Sequence, residues 1–487
     1  MEVEIKLGSL AGDLDGLSGA IGVPPESAVY LNEYCIDGHR FPDLAEPSSW
    51  VRGDVWSSLY PLSLAGKAST LLTLTVPDVI ETYLEDIGFI PEEARIFQAC
   101  EGHDISRRFY PEGSVVGRLL NAPKTASSLL KGKTIIASFV TEDLVDLADA
   151  HDAHLLIRPD DCIKFNSKSY MRETAENLGL ALPLGVIISP DQSVETGLEA
   201  FLKGLDHTEK GLWLKLATAG GGGTKRLAEN RIEDINEVLI PFLRDAASAV
   251  LSDHDLQAFD GRYEDLAMPF KRDLVLEQDL SLQNDLEVIG NFGFQAIIGH
   301  NAITYVGAAK QIIEDGVYAG GESIASDEDK TLEQACLPDI FKVFRAYQTD
   351  GYRGFMGVDA LIADQSGSIT PYILEANCRV TGATPLIAAA HKLSRQQNGQ
   401  DVFARLCTIS IPVHGGIGAS ASERIFSALG DDLYKQDMTS GIVPLMMDVF
   451  PDRPNMEVAR LRCVIFAKTH TELQALNARL IERFPAQ

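Results

Sequence analysis

Short apolar runs alternate with amphipathic stretches through the first 160 or so residues. LLTLTVP (71–77) has the composition of a strand, and DVIETYLEDIGF (78–89) has helical spacing opened by an acidic cap. TIIASFV (134–140) predicts another strand. The next stretch, TEDLVDLADAHD, begins with Thr141 and an acidic turn, which predicts a helix start. HLLIRP (154–159) closes the series. This alternation predicts a small open α/β unit. No G-x-G-x-x-G follows any of these strands, so a dinucleotide site is not expected there.

NSKSYMRETAENLGLALP (166–183) reads as a capped helix that stops at a glycine and then a proline, as at the start of a new unit. Mixed α/β patterning runs from there to about residue 400. The last stretch differs. GIVPLMMDVF and RLRCVIFAK predict two strands and THTELQALNARLIERF a Thr-capped terminal helix, together a small α+β unit. Residues 252–273 are the most loop-like, and no repeats or low-complexity tracts occur.

Composition narrows the function classes. The 487 residues are 45% hydrophobic and 23% charged, as in an ordinary globular protein of two to four domains. A net charge of −28 disfavours nucleic acid or an anionic membrane as partner. No stretch offers the roughly 20 apolar residues of a membrane span, and MEVEIKLGSL lacks a secretion signal's pattern, so a cytoplasmic location is expected. Seven scattered cysteines without a C-x-x-C fit a reducing compartment.

The chemistry concentrates in three places. In ILEANCR (373–379) strict alternation puts Glu375, Asn377 and Arg379 on one face and Leu374, Ala376 and Cys378 on the other. Upstream, GFMGVDALIAD (354–364) and the turn residues QSGS predict a hairpin. A turn centred on Gly367 sets Asp359 opposite Glu375. Two carboxylates and an amide oxygen suit magnesium, and Arg379 adds a fork for a phosphoryl group. A solvated polar sheet face is the plain alternative. Second, GLWLKLATAGGGGTKRL (211–227) places Lys215 on a strand just before Gly220, Gly221, Gly222 and Gly223, whose backbone can approach phosphate closely. It is neither a Walker A loop nor a Rossmann fingerprint. Third, RDLVLEQDL (272–280) is an apolar strand that ends in acids. Glu277 and Gln278 there are candidates for the adenine edge, and Asp279 or Asp285 for ribose.

In this order the three segments resemble the ATP-grasp superfamily, in which two α+β subdomains hold ATP between them. The resemblance implies that Lys168 and Lys215 bind nucleotide phosphates, that Gly220–Gly223 form a mobile lid, and that Asp359, Glu375 and Asn377 hold Mg2+. It implies that Arg379 and Lys215 serve catalysis. Within the superfamily, NSKSYMRETAENLGLALPLG and the C-terminal pattern are similar to the peptide ligases of pheganomycin biosynthesis. The resemblance therefore implies an ATP-grasp fold preceded by a small open α/β domain (1–160) and followed by a small β-β-α domain (406–487), with the core at 161–405. It further implies ATP-dependent joining of a small-molecule carboxylate and an amine, both amino acids or short peptides, through an acyl phosphate. A phosphotransferase using the same nucleotide site is the alternative, and assembly into a homo-oligomer is left open. Many relatives carry an arginine just before the first metal acid; here Gly357 stands at about that point, with Arg353 or Lys310 as replacements. The loops 314–323, 380–385 and 413–420 are candidates for substrate contacts.

Overall fold

The computed structural model describes residues 4–7, 14–31, 64–73, 78–99, 115–188, 211–216, 224–227, 273–283, 286–314, 317–413, 426–453 and 456–484. Gly220–Gly223 and Asp285 lie outside these residues, as do 252–272 and most of 413–420. Among the described residues there are three sheets.

Strand β1 (Glu4–Leu7) stands apart from the rest of the N-terminal third, because it pairs in parallel with Ala302–Tyr305 of the largest sheet. The strands β2 (Ala28–Leu31), β3 (Thr70–Thr73), β4 (Arg95–Gln98), β5 (Thr134–Ala137) and β6 (His154–Leu155) form a parallel sheet in the order β4-β3-β2-β5-β6. This is the open α/β unit that the alternation predicts. Its helices start where the chain can cap them: Thr141 accepts a hydrogen bond from the Leu144 amide (3.3 Å) and opens Glu142–Ala150. Two strands are shorter than their apolar runs. β6 keeps only His154 and Leu155, and β5 stops at Ala137. The later apolar residues serve packing: Val140 is buried in the core, and the Phe139 ring lies beneath the Arg379 guanidinium.

The second sheet is antiparallel, with β7 (Gly185–Ile188), β8 (Leu212–Leu216), β9 (Thr224–Leu227) and β10 (Leu274–Gln278) in the order β7-β10-β8-β9. Lys215 pairs with Thr224, so the glycine run connects the two strands of a hairpin.

The third sheet contains β11 (Glu287–Ile298), β12 (Ala302–Glu314), β13 (Val317–Ser323), β14 (Gly354–Gln365), β15 (Ser368–Asn377), β16 (Phe403–Val413), β17 (Gly441–Arg453) and β18 (Met456–Ala467). Their order is β15-β14-β11-β12-β13-β16-β18-β17, and β1 completes its nine strands. The predicted β-β-α ending is β17, β18 and the helix His470–Arg483, capped by Thr469, and its strands continue this sheet through β16.

A helix covers each face of the large sheet. Asp327–Thr349 begins at Ser326, whose hydroxyl accepts from the Asp329 amide (3.0 Å), with three acids in its first turn. Cys336, Ile340, Phe344 and Tyr347, spaced three and four apart, pack on Phe292, Phe294, Val358 and Ala360. Ala383–Gln396 buries Leu386, Ile387, Ala390 and Leu393 on the other face, beside Ala309. That core runs on into Leu17, Tyr30, Leu71 and Ile136 of the parallel unit and into Val464 and Phe466 of β18. The two terminal segments therefore share one apolar core with the centre.

Candidate functional site

The hairpin β14–β15 sets Asp359 opposite Glu375, as the alternation of the sequence requires. Its two-residue turn, Ser366 and Gly367, has φ of 56° and 86°, the geometry that matches strand twist in a tight hairpin. The turn lies half a residue short of the expected centre because of a bulge between Asp359 and Ala360, opposite Leu374. The bulge also corrects the expected faces. Ile373, Ala376 and Cys378 go into the core, whereas Leu374 is only half-buried and is not part of that cluster. The strand ends at Asn377, so Arg379 lies just beyond it.

Asn377 joins the two acids, donating from Nδ2 to Asp359 Oδ2 (3.0 Å) and to Glu375 Oε1 (3.0 Å). Gln311 of β12 donates to the other Asp359 oxygen (2.7 Å). Gly293 makes room for that contact, since a Cβ there would lie 2.9 Å from Gln311 Nε2 and 3.0 Å from Asp359 Oδ1. Lys168 reaches Glu375 Oε2 at 3.0 Å. Burial raises both carboxyls. At Glu375 the Lys168 ammonium and the Asn377 amide outweigh it and bring the group down to about 2. At Asp359 the Glu375 charge adds to burial and pushes the group up to about 8.

Lys168 opens the helix Lys168–Asn177, which is capped by Ser167, whose hydroxyl accepts from the Tyr170 amide (3.4 Å). Arg172 is one helical turn further on the same face. Its guanidinium donates to Glu277 Oε1 (3.1 Å) and to the Pro183 carbonyl (3.0 Å), and it pairs with Glu176 (3.1 Å). Glu277 also pairs with Lys215. All three members of this triad are buried. Gly185 lets β7 approach it, because a Cβ there would fall 2.5 Å from the Leu276 carbonyl and 2.8 Å from Arg172 Nη1. One short helix thus reaches the acid pair of the large sheet with Lys168 and the small sheet with Arg172.

The expected adenine-edge residues lie as placed on β10, but their side chains have protein partners. Glu277 holds two cations, and Asp279 accepts from the Ser281 amide (3.0 Å) and hydroxyl (2.6 Å) at the start of a short turn. Gln278 accepts from Gln283 (2.6 Å), while its own Nε2 is buried without a hydrogen-bond partner. Neither replacement for the absent arginine joins the acids. Arg353 bonds His300 at the far end of the sheet (3.2 Å). Lys310 pairs across β11 with Phe292, which places it on the opposite face from Asp359, near Asp329 (4.0 Å). Arg379 donates to Asn166 Oδ1 (2.7 Å), and its guanidinium lies 5.4 Å from the centre of the Phe139 ring.

Among the described residues no group of three His, Cys, Asp or Glu side chains could hold a metal. Two acids and an amide remain, and they fit a hard cation. Asp359 is pushed up by burial and by the Glu375 charge beside it, and a half-turn of the Asn377 amide would present its oxygen.

No family model and no curated protein matches the chain. Solved structures do. A Rhizobium etli pyruvate carboxylase is 12% identical with a TM-score of 0.51, over 94% of this chain and 37% of that one. The chain has the ATP-grasp fold. An Aspergillus clavatus N5-carboxyaminoimidazole synthase, solved with ADP and 5-aminoimidazole ribonucleotide, is 12% identical (TM-score 0.48; 94% and 98% of the two chains). A Bacillus licheniformis L-amino acid ligase has the same identity and score, over 94% and 97%.

Gln311, Gly293, Arg172 and Asn166 were not expected from the sequence. Only Arg172 carries a local signal, four residues after Lys168 on one helix face. Among the described residues no helix is long and apolar enough to cross a membrane.

Proposed function

We propose that this protein is an ATP-dependent carboxylate–amine ligase that joins amino acids or short peptides, as the pheganomycin-type peptide ligases do. The observation that carries the reading is the helix Lys168–Asn177. It ties Glu375 on the large sheet to Glu277 and Lys215 on the small sheet, and so gathers two lysines, an arginine and the acid pair around one helix. Lys168 and Lys215 would offset the phosphate charge. Arg379 would hold the phosphoryl group being transferred, and Asp359, Glu375 and Asn377 would hold Mg2+. Bound there, magnesium supplies charge neutralisation on the phosphates. A carboxylate oxygen attacks the γ-phosphorus, ADP leaves, and the amine displaces phosphate from the acyl phosphate.

Turnover should require both acid and amine and give ADP with orthophosphate. Hydroxylamine in place of the amine should trap a hydroxamate, and oxygen-18 in the acid should reach the phosphate. AMP formation would refute the reading, and a stable phosphorylated product made without any amine would replace it with a phosphotransferase.

A second expectation concerns protons. With Asp359 near 8, the acid pair carries an extra proton at pH 7 that a bound cation must expel. Magnesium affinity should therefore rise with pH up to about 8 and then level. Titration calorimetry in two buffers of different ionisation enthalpy should show the released proton; identical heats would remove Asp359 from the metal site.

A further inference from the structure

β16 and β18 carry a pair of cysteines that neither the nucleotide site nor the metal acids use. The register of these strands is unbroken from Phe403 to Val413 and sets Cys407 directly opposite Cys463. Directly opposed residues of antiparallel strands have Cα atoms about 4.5–5.5 Å apart, inside the range of about 4.4–6.8 Å that a disulfide spans. The two sulfurs are 3.4 Å apart, and the Cys407 thiol reaches the Cys463 carbonyl oxygen at 3.7 Å. Both thiols are free. A bond needs the sulfurs to close to about 2.05 Å, a shift within reach of side-chain rotation.

The surroundings separate the roles of the two thiols. Cys463 is fully buried, with Leu461 and Ile409 beside it on the same face. Its contact with the Cys407 thiol, and then burial, hold its thiol well above the usual range, so it stays protonated. Cys407 is only half-buried and is the thiol that a reagent meets first. The pair also has a telling position. Within the large sheet, β18 and β17 are joined to the other strands only through β16, whose Leu406 pairs with Gly321 of β13. A bond from Cys407 to Cys463 therefore crosses the seam by which the β-β-α ending is attached.

We propose that Cys407 and Cys463 form a reversible disulfide by exchange with a low-molecular-weight disulfide, a redox-sensitive staple that fixes the β-β-α ending to the large sheet. The Cys407 thiolate attacks one sulfur of the reagent, whose S–S bond breaks and releases a first thiolate. Cys463 then gives up its proton and attacks Cys407 Sγ, and a second thiolate leaves. The cysteines lose two electrons, the reagent gains them, and the two protons end on the released thiols. The bond closes the long loop 407–463 and holds β18 to β16 against local unfolding.

The probe is bis(2-hydroxyethyl) disulfide, which is small and neutral. The full chain is incubated with it, remaining thiols are alkylated at low pH, and the peptides are mapped by mass spectrometry. Wild type should give two peptides linked through Cys407 and Cys463, which dithiothreitol separates. Cys463→Ala should stop at a mercaptoethanol adduct on Cys407, and Cys407→Ser should leave Cys463 unmodified. Cys407→Ser changes a half-buried position, so it tests the order of attack even where Cys463→Ala fails to fold. Oxidised wild type should melt a few degrees above the reduced protein, a gain that Cys407→Ser lacks. An adduct on Cys407 without a link, or two unreacted thiols, shows a packed pair only and overturns the staple. A link that leaves the midpoint unchanged overturns the stapling role, and modification of Cys463 in Cys407→Ser overturns the order of attack. None of these readouts uses turnover, so the result is independent of the ligase reading.

Discussion

Asp359→Asn is expected to remove turnover, by about a thousandfold or more, while leaving the ligand-free protein folded. Asparagine has the shape of the protonated acid, which burial and the Glu375 charge favour at Asp359 up to about pH 8. Its one oxygen can accept from Gln311 or from Asn377, while its own NH2 faces the other donor, so one of the two hydrogen bonds is lost. The missing negative charge matters only when a cation and phosphates must be held. The sign of the stability change follows from linkage. A carboxyl whose folded pKa lies above its unfolded value binds more protons when folded, so it costs stability as pH rises from about 4 to about 8. The variant lacks that cost. Without magnesium, its thermal midpoint should gain on wild type as pH is raised through that window. Glu375→Gln should also lose turnover, but with a stability cost, because Lys168 loses its carboxylate partner. Near-normal turnover in either variant, with a native circular dichroism spectrum, would remove the pair from the catalytic site.

Glu277→Ala should have the largest effect on stability. With Glu176 as a second, more exposed partner for Arg172 alone, Arg172 and Lys215 are 4% and 9% exposed and share this carboxylate. Its removal leaves two like charges buried together, and breaking a buried pair this way costs about 3–5 kcal/mol. The reference state matters, since burying the triad costs desolvation in the first place. The triple replacement Arg172→Met, Lys215→Met, Glu277→Leu should therefore recover most of the lost thermal midpoint. It should not recover turnover, because Lys215 is needed at the phosphates. Recovery of both stability and turnover would show the triad to be a packing device only. A Glu277→Ala midpoint within a degree or so of wild type would show that water reaches these charges.

The two experiments concern different kinds of information. Asp359 and Glu375 face each other because alternation and a two-residue turn fix their register, and both are local properties of residues 354–377. The caps at Thr141, Ser167, Ser326 and Thr469 are equally local, each a hydroxyl oxygen that accepts from the amide three residues on. Helix and strand periods gave the parallel unit, the strand that carries Lys215 and the β-β-α ending for the same reason.

Contacts between distant segments had no such signal. The extra residue at Leu374 depends on how β15 meets β14 and the core beneath, so alternation alone put Leu374 on the wrong face. β1 lies beside β12 some 300 residues later, and nothing in EIKL names that partner. Lys310 and Arg353 were plausible substitutes near Asp359 by number. Side-chain direction across three paired strands placed one on the opposite face and the other at the far end. Arg379 was legible as a cation after the metal strand, but its supports, Asn166 and Phe139, come from elements more than 200 residues away. Local periodicity and turn chemistry determine which groups share a face, because neighbouring dihedral angles are set by neighbouring atoms. Which faces meet is decided by burying apolar surface over the whole chain, and only the folded structure shows that Arg172 and Lys168 span two sheets and that Arg379 opens onto a third.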